Sequence, residues 1–234
     1  TAEIAGRVKV FIGTGSTRLK SAIGLTRHAK SAGADAAVVV SPYYFGPSEA
    51  AAEQYFGELA EAVDFPIVLY NFPDRTGSDL SPQLVSKLRE AHPNIVGIKD
   101  TVDNISHTRA MIAATDADFA VFSGFDEYYL PNRVAGGAGV ISGLTNVYPE
   151  LFAQMHQSFE SGDHSAATRP AGRISNLMQI YAVGDQFIHT IKEAVQRRYL
   201  SELNTATREP YIALSATQRD AVTRLVDSSE VQNF

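Results

Sequence analysis

NIVGIKDT (residues 94–101) is an apolar run that ends on a lysine, an aspartate and a threonine. It is too short for a helix of ordinary length, and its β-branched residues suit a strand buried on both faces. Runs of the same build recur as VKVFIG (8–13), AAVVVSP (36–42), PIVLYN (66–71), AVFSGF (120–125) and GVISGL (139–144). Between them SAIGLTRHAKSAG (21–33), EAAAEQYFGELAEAV (49–63) and SPQLVSKLREA (81–91) read as amphipathic helices, each opened by a polar or proline residue. Strand starts return about every 25 to 30 residues over most of the chain, the beat of a β/α repeat whose long crossovers make neighbouring strands parallel.

Six β/α units suit either an open doubly wound sheet or an arc of an eight-stranded barrel. The strand ends separate the two. An open sheet gathers its polar residues at one switch point, whereas a barrel draws them from many strands. Here the ends carry Gly13-Thr14-Gly15, Ser41-Pro42-Tyr43-Tyr44, Tyr70-Asn71, Lys99-Asp100-Thr101, Ser123-Gly124-Phe125-Asp126 and Thr145-Asn146. Every strand contributes, so the expected fold is α/β, a (β/α)8 TIM barrel represented by six β/α units. A C-terminal helical extension follows. Residues 1–148 are expected to form the barrel portion, and 149–234 a helical region packed on it without being an independent domain.

The 234 residues are 44% hydrophobic and 20% charged, an ordinary globular composition. With no cysteine there is no disulfide framework, thiolate metal site or cysteine nucleophile. A formal net charge of -6 offers no basic footprint for nucleic acid or an anionic membrane. No apolar run approaches the length of a membrane span, and TAEIAGRVKV lacks the build of a signal peptide. These features predict a cytoplasmic protein. The six histidines show no ligand spacing, which argues against a metal-dependent enzyme. GTGST (13–17) lacks the ending of a phosphate-binding loop and reads as a β/α turn.

Lys99 is the residue that points to chemistry. A lysine closing an apolar strand is costly to bury unless paired or neutral. At the top of a barrel strand it suits an imine-forming nucleophile, since the free amine attacks a ketone. An ordinary lysine has only about one free amine in a few thousand at pH 7, so the site must favour that form. Pairing with Asp100 is the competing structural reading. Tyr70 ends a second strand, where a phenol can relay protons to and from the carbinolamine that precedes an imine. Arg75 follows a proline turn at the rim, placed to take a carboxylate bidentately or to tether the loop to Asp74 or Asp79. Asp126 and Glu127 could mimic an acid/base pair, but adjacent side chains of a strand point apart.

The stretches GTGS (13–16), SPYYFGP (41–47), LYNFPDRTG (69–77), GIKDT (97–101), SGFDE (123–127) and GVISGLTNVYPE (139–150) resemble the dihydrodipicolinate synthase and N-acetylneuraminate lyase family in order and spacing. That resemblance implies a pyruvate-dependent class I aldolase or synthase needing no metal or organic cofactor. By the resemblance, Lys99 forms the Schiff base with pyruvate, Tyr70 relays protons, and Tyr44 enters the active site of a neighbouring subunit. Arg75 matches the group that holds the carboxylate of aspartate semialdehyde. Gly124 and Ile141 match positions lining the pyruvate pocket, and strand alternation sends Thr101 to the side of Lys99. The implied partners are pyruvate with an aldehyde, or a 2-keto-3-deoxy acid, and further copies of the chain as a dimer of dimers.

The resemblance leaves the aldehyde open. Arg75 favours 4-hydroxy-tetrahydrodipicolinate synthase, while YNFP and IKDT look more like the 2-keto-3-deoxy sugar acid aldolases. The family pattern opens with two further strands, the second ending in a Gly-Thr-Thr-Gly-Glu turn, and VKVFIG matches its third. The chain is therefore expected to be a fragment of a longer protein. Loss of those threonines also motivates an alternative, a catalytically silent keto-acid-binding homologue or regulatory subunit. An open-sheet binding module is a further one.

Overall fold

Among the described residues, six short strands pair in parallel and in strict sequence order, β1 Phe11–Gly13, β2 Ala36–Val40, β3 Ile67–Asn71, β4 Ile95–Asp100, β5 Ala120–Ser123 and β6 Gly139–Val140. A computed structural model describes residues 1–231 of the chain. The crossovers carry α1 Leu19–Ser31, α2 Glu49–Ala62, α3 Pro73–Thr76, α4 Pro82–Ala91, α5 Ile105–Ala114 and α6 Tyr129–Val134. A doubly wound sheet reverses its strand order at a switch point; this one never does. Right-handed crossovers in a single direction place the helices on one face of the sheet.

The register shows which residues take which face. Val40 pairs with Tyr70, Tyr70 with Lys99 and Lys99 with Phe122, so alternation puts all four on the face away from the helices. Phe11 of β1 shares that face, and its ring meets that of Phe122 edge-on at 6.4 Å between centroids. In a flat sheet, strands four places apart stand about 19 Å from one another. Closing that gap requires the sheet to curl, with Tyr70 and Lys99 on its concave side.

The opposite parity, Ala37, Val39, Leu69, Ile98 and Val121, packs with Phe56, Leu59, Leu84, Leu88 and Met111 from the helices into one buried core. Burial of each large apolar side chain is worth about 1.5–3 kcal/mol. Ser48 and Ser81 cap α2 and α4 by accepting from the Ala51 and Leu84 amides, and Asn104 caps α5 through the Ser106 amide.

Two strands are shorter than their apolar runs. Of VKVFIG only Phe11–Gly13 pairs, because the ladder begins at the Phe11–Ala36 register where β2 itself begins. Of GVISGL only Gly139–Val140 pairs, opposite Phe122 and Ser123.

The chain divides into two compact units, Thr1–Val140 and the residues from Ile141 on. The second consists of α7 Pro149–Glu160, α8 His164–Leu177, α9 Phe187–Arg198 and α10 Ala216–Val231. Its largest fully buried side chain is Tyr148, whose hydroxyl donates to the Val226 carbonyl at 2.8 Å. Between α8 and α9 the chain passes through a 3-10 segment, Met178–Ala182, and breaks before α9, where Gly184 sits so close to Leu214 that a Cβ would lie 2.7 Å from its Cδ2. Among the described residues no helix is long and apolar enough to cross a membrane.

Candidate active site

Tyr70 and Lys99, 29 residues apart, are direct neighbours across the β3–β4 ladder at its C-terminal end. Both are half-buried. The Lys99 Nζ lies 4.2 Å from the centroid of the Tyr70 ring, and that ring stacks on Phe72 with centroids 6.0 Å apart. An amine and a phenol thus share a half-buried site, the pairing that imine formation with proton relay requires.

The backbone just beyond the strands ties three ends together. The Thr101 amide donates to the Asn71 carbonyl and the Gly124 amide to the Asp100 carbonyl, both at 2.8 Å. Thr101 is buried, and its Oγ1 has no hydrogen-bond partner among the described residues. Gly124 approaches it so closely that a Cβ there would stand 2.0 Å from that Oγ1. Glycine is therefore needed for space, at a position with an ordinary φ.

Asn71 and Asp100 follow Tyr70 and Lys99 in the chain and so face the helices. Both are fully buried. The Asp100 carboxylate accepts from Asn71 Nδ2 at 3.0 Å, Thr108 Oγ1 at 2.7 Å and His107 Nδ1 at 3.0 Å. It makes no pair with Lys99, which corrects the structural reading of that lysine. The other face of His107 turns to Asp79, with Nε2 3.2 Å from Oδ2, an ion-pair distance without hydrogen-bonding geometry. Asn71 closes the ring by donating to Asp79 Oδ1 at 2.8 Å and accepting from the Leu80 amide at 3.0 Å. The hydrogen bond to Asp100 and then the close Asp79 carboxylate push the His107 imidazole up to about 10, and the neighbouring imidazole holds Asp79 below the usual carboxylate range.

Arg75 lies on α3, exposed, with its guanidinium 6.0 Å from the centroid of the Phe72 ring. Neither tether to Asp74 or Asp79 forms; Asp79 is engaged by Asn71 and His107. Tyr44 stands on the loop after β2, 86% exposed and with φ of 76°, a left-handed conformation uncommon outside glycine. Ile141 is half-buried at the start of the second unit. Asp126 is buried and Glu127 half-buried, on a 3-10 turn instead of a strand. Burial and the neighbouring Asp103 and Asp126 raise the Glu127 carboxyl above its ordinary value.

The first unit thus brings together Lys99, Tyr70, Thr101 and Gly124 at adjoining strand ends. The Asn71–Asp100–His107–Asp79 ring behind them escaped the sequence reading. A signal existed: an aspartate on the core-facing parity of an apolar strand needs donors, and the next helix opens with His107 and Thr108.

The model of the dihydrodipicolinate synthetase family matches residues 1–229. The chain is 39% identical over 192 residues to a putative 2-dehydro-3-deoxy-D-gluconate aldolase, YagE, of Escherichia coli, covering 81% of this chain and 64% of that protein. It is 43% identical over 194 residues to a 4-hydroxy-tetrahydrodipicolinate synthase of Methanoculleus marisnigri, covering 82% and 66%. The chain thus spans about two thirds of the length of these curated relatives. Among solved structures, YagE in complex with pyruvate superimposes with a TM-score of 0.94 at 34% identity, over 98% of this chain and 78% of that one. The chain belongs to the dihydrodipicolinate synthetase family.

Proposed function

We propose that the protein is a pyruvate-dependent carbon–carbon lyase or synthase working through a Schiff base on Lys99. The cross-strand pairing of Lys99 with Tyr70 carries the reading. The free Nζ attacks the keto carbon of pyruvate, water leaves the carbinolamine, and the protonated imine becomes the electron sink. Loss of a C3 proton gives the enamine, which adds to an aldehyde carbon; hydrolysis then returns Lys99. Retro-aldol cleavage runs the same steps backwards. Tyr70 relays protons from a ring held against Phe72. Thr101 Oγ1, buried and unpartnered among the described residues, hydrogen-bonds a substrate oxygen, and Gly124 keeps the main chain near the ligand.

In the same reading the curled sheet belongs to a complete (β/α)8 barrel, with residues 1–148 as the barrel portion and 149–234 as its helical extension. The assembly is a dimer of dimers in the cytoplasm, and the exposed, left-handed Tyr44 serves the site of a neighbouring subunit. Arg75 at the rim takes the carboxylate of aspartate semialdehyde. A sugar aldehyde, as for the aldolase relatives, would leave that guanidinium idle. The test offers pyruvate with aspartate semialdehyde, and separately 2-keto-3-deoxygluconate, following pyruvate with lactate dehydrogenase. One pair turns over, and Lys99→Ala abolishes it. Turnover that survives Lys99→Ala refutes the mechanism, and failure with both pairs favours a silent keto-acid-binding homologue.

A further inference from the structure

The proposed chemistry makes no use of the charges directly behind the Tyr70–Lys99 pair. Asp100 is a fully buried carboxylate one residue from the nucleophile. Left alone, its charge would favour the ammonium form of Lys99, and only the free amine attacks a keto carbon. The structure supplies a counter-charge on the far side. His107 faces Asp100 from α5 and meets Asp79, on the loop before α4, with its other nitrogen. The remaining groups of the ring, Asn71 from β3 and Thr108 from α5, are neutral. Two carboxylates share one imidazole, and their closeness to its two nitrogens pushes it up to about 10. As a cation it leaves one net negative charge in the ring. That surplus falls to Asp79, with its side chain 46% exposed and screened by water, and not to Asp100 at 0%.

We infer that His107 is a positioning residue whose imidazolium neutralises Asp100 and holds that carboxylate on the helix side of β4, so that its charge does not act against attack by Lys99. The inference rests on Lys99 being the imine-forming residue and deepens that assignment by naming what governs its ionisation. It also explains why Lys99 and Asp100, adjacent in the chain, do not neutralise each other.

Competitive acetylation with acetic anhydride across pH 6–11, read by peptide mass spectrometry, reports the free-amine fraction of Lys99 without any substrate. In His107→Gln the Lys99 profile moves to higher pH by about one unit, the order of effect of one uncompensated charge beside a titrating group. Exposed Lys20 supplies an internal control whose profile stays in place. Adding Asp100→Asn to His107→Gln returns the Lys99 profile to its wild-type position, which a merely structural role of His107 would not produce. An unmoved profile in His107→Gln, or no return in the double variant, overturns the inference. If His107→Gln does not fold, Asp100→Asn alone decides: its Lys99 profile lies at or below the wild-type pH, and a rise overturns the inference. Borohydride trapping of pyruvate by the wild-type chain tests the imine assignment separately, so failure of one reading is distinguishable from failure of the other.

Discussion

Replacing Gly124 by alanine tests the geometry of the strand ends. The new methyl would stand 2.0 Å from Thr101 Oγ1, 2.6 Å from its Cβ and 2.8 Å from its Cγ2. Ordinary contacts of a Cβ begin near 3.4 Å, so one partner must retreat by more than an ångström. Neither is free to do so. Thr101 is buried with its amide on the Asn71 carbonyl, and the Gly124 amide is held by the Asp100 carbonyl. Overpacking of this kind costs about 1–3 kcal/mol, and a site pinned on both sides belongs near ~3. For a chain of this size each kcal/mol lowers Tm by about 2–4 °C, so the expected loss is about 6–12 °C. Circular dichroism melts of Gly124→Ala, Thr101→Ala and the double variant check it. Thr101→Ala removes two of the three clashing atoms, so the double variant recovers part of the loss and the cycle shows coupling of about 1 kcal/mol or more. A Gly124→Ala melt within 2 °C of wild type, or strict additivity, would refute the close approach.

Two further outcomes follow from the ring and the rim. The folded His107 value is raised from 6.5 to about 10, so its stabilisation is complete below pH 6.5 and is lost as pH rises through about 10. The difference in urea midpoint between wild type and His107→Gln is therefore largest at pH 6 and nearly gone above pH 10; a constant difference would contradict the ion ring. Arg75→Ala removes an exposed guanidinium and changes stability by less than about 0.5 kcal/mol. It raises KM for aspartate semialdehyde while leaving sugar aldehydes unaffected, and equal effects on both would remove Arg75 from substrate selection.

Lys99 and Tyr70 were legible in the sequence because each closes an apolar strand, and a polar group in that position stands out against its run. That their strands lie side by side follows from the β/α order, whereas the register that makes Tyr70 and Lys99 direct neighbours is set by the ladder. The Asn71–Asp100 bond spans the same 29 residues yet was not legible, because it depends on a side-chain choice on the helix-facing side. His107 was harder still. Its partners come from β4 and from the loop before α4, and no spacing rule joins those positions. The strand lengths failed for a related reason: Val8 and Ile141 are as β-prone as their neighbours, but pairing stops where the adjacent strand offers no partner. Local composition marks a strand, whereas its ends are set by the ladder.

The central claim is that Lys99 forms the imine. Incubating the chain with pyruvate, reducing with borohydride and mapping peptides by mass spectrometry tests it most directly. The account predicts a single reduced pyruvate adduct on the peptide containing Lys99, absent in Lys99→Arg and formed more slowly in Tyr70→Phe. An adduct spread over exposed lysines, or none at all, would contradict it.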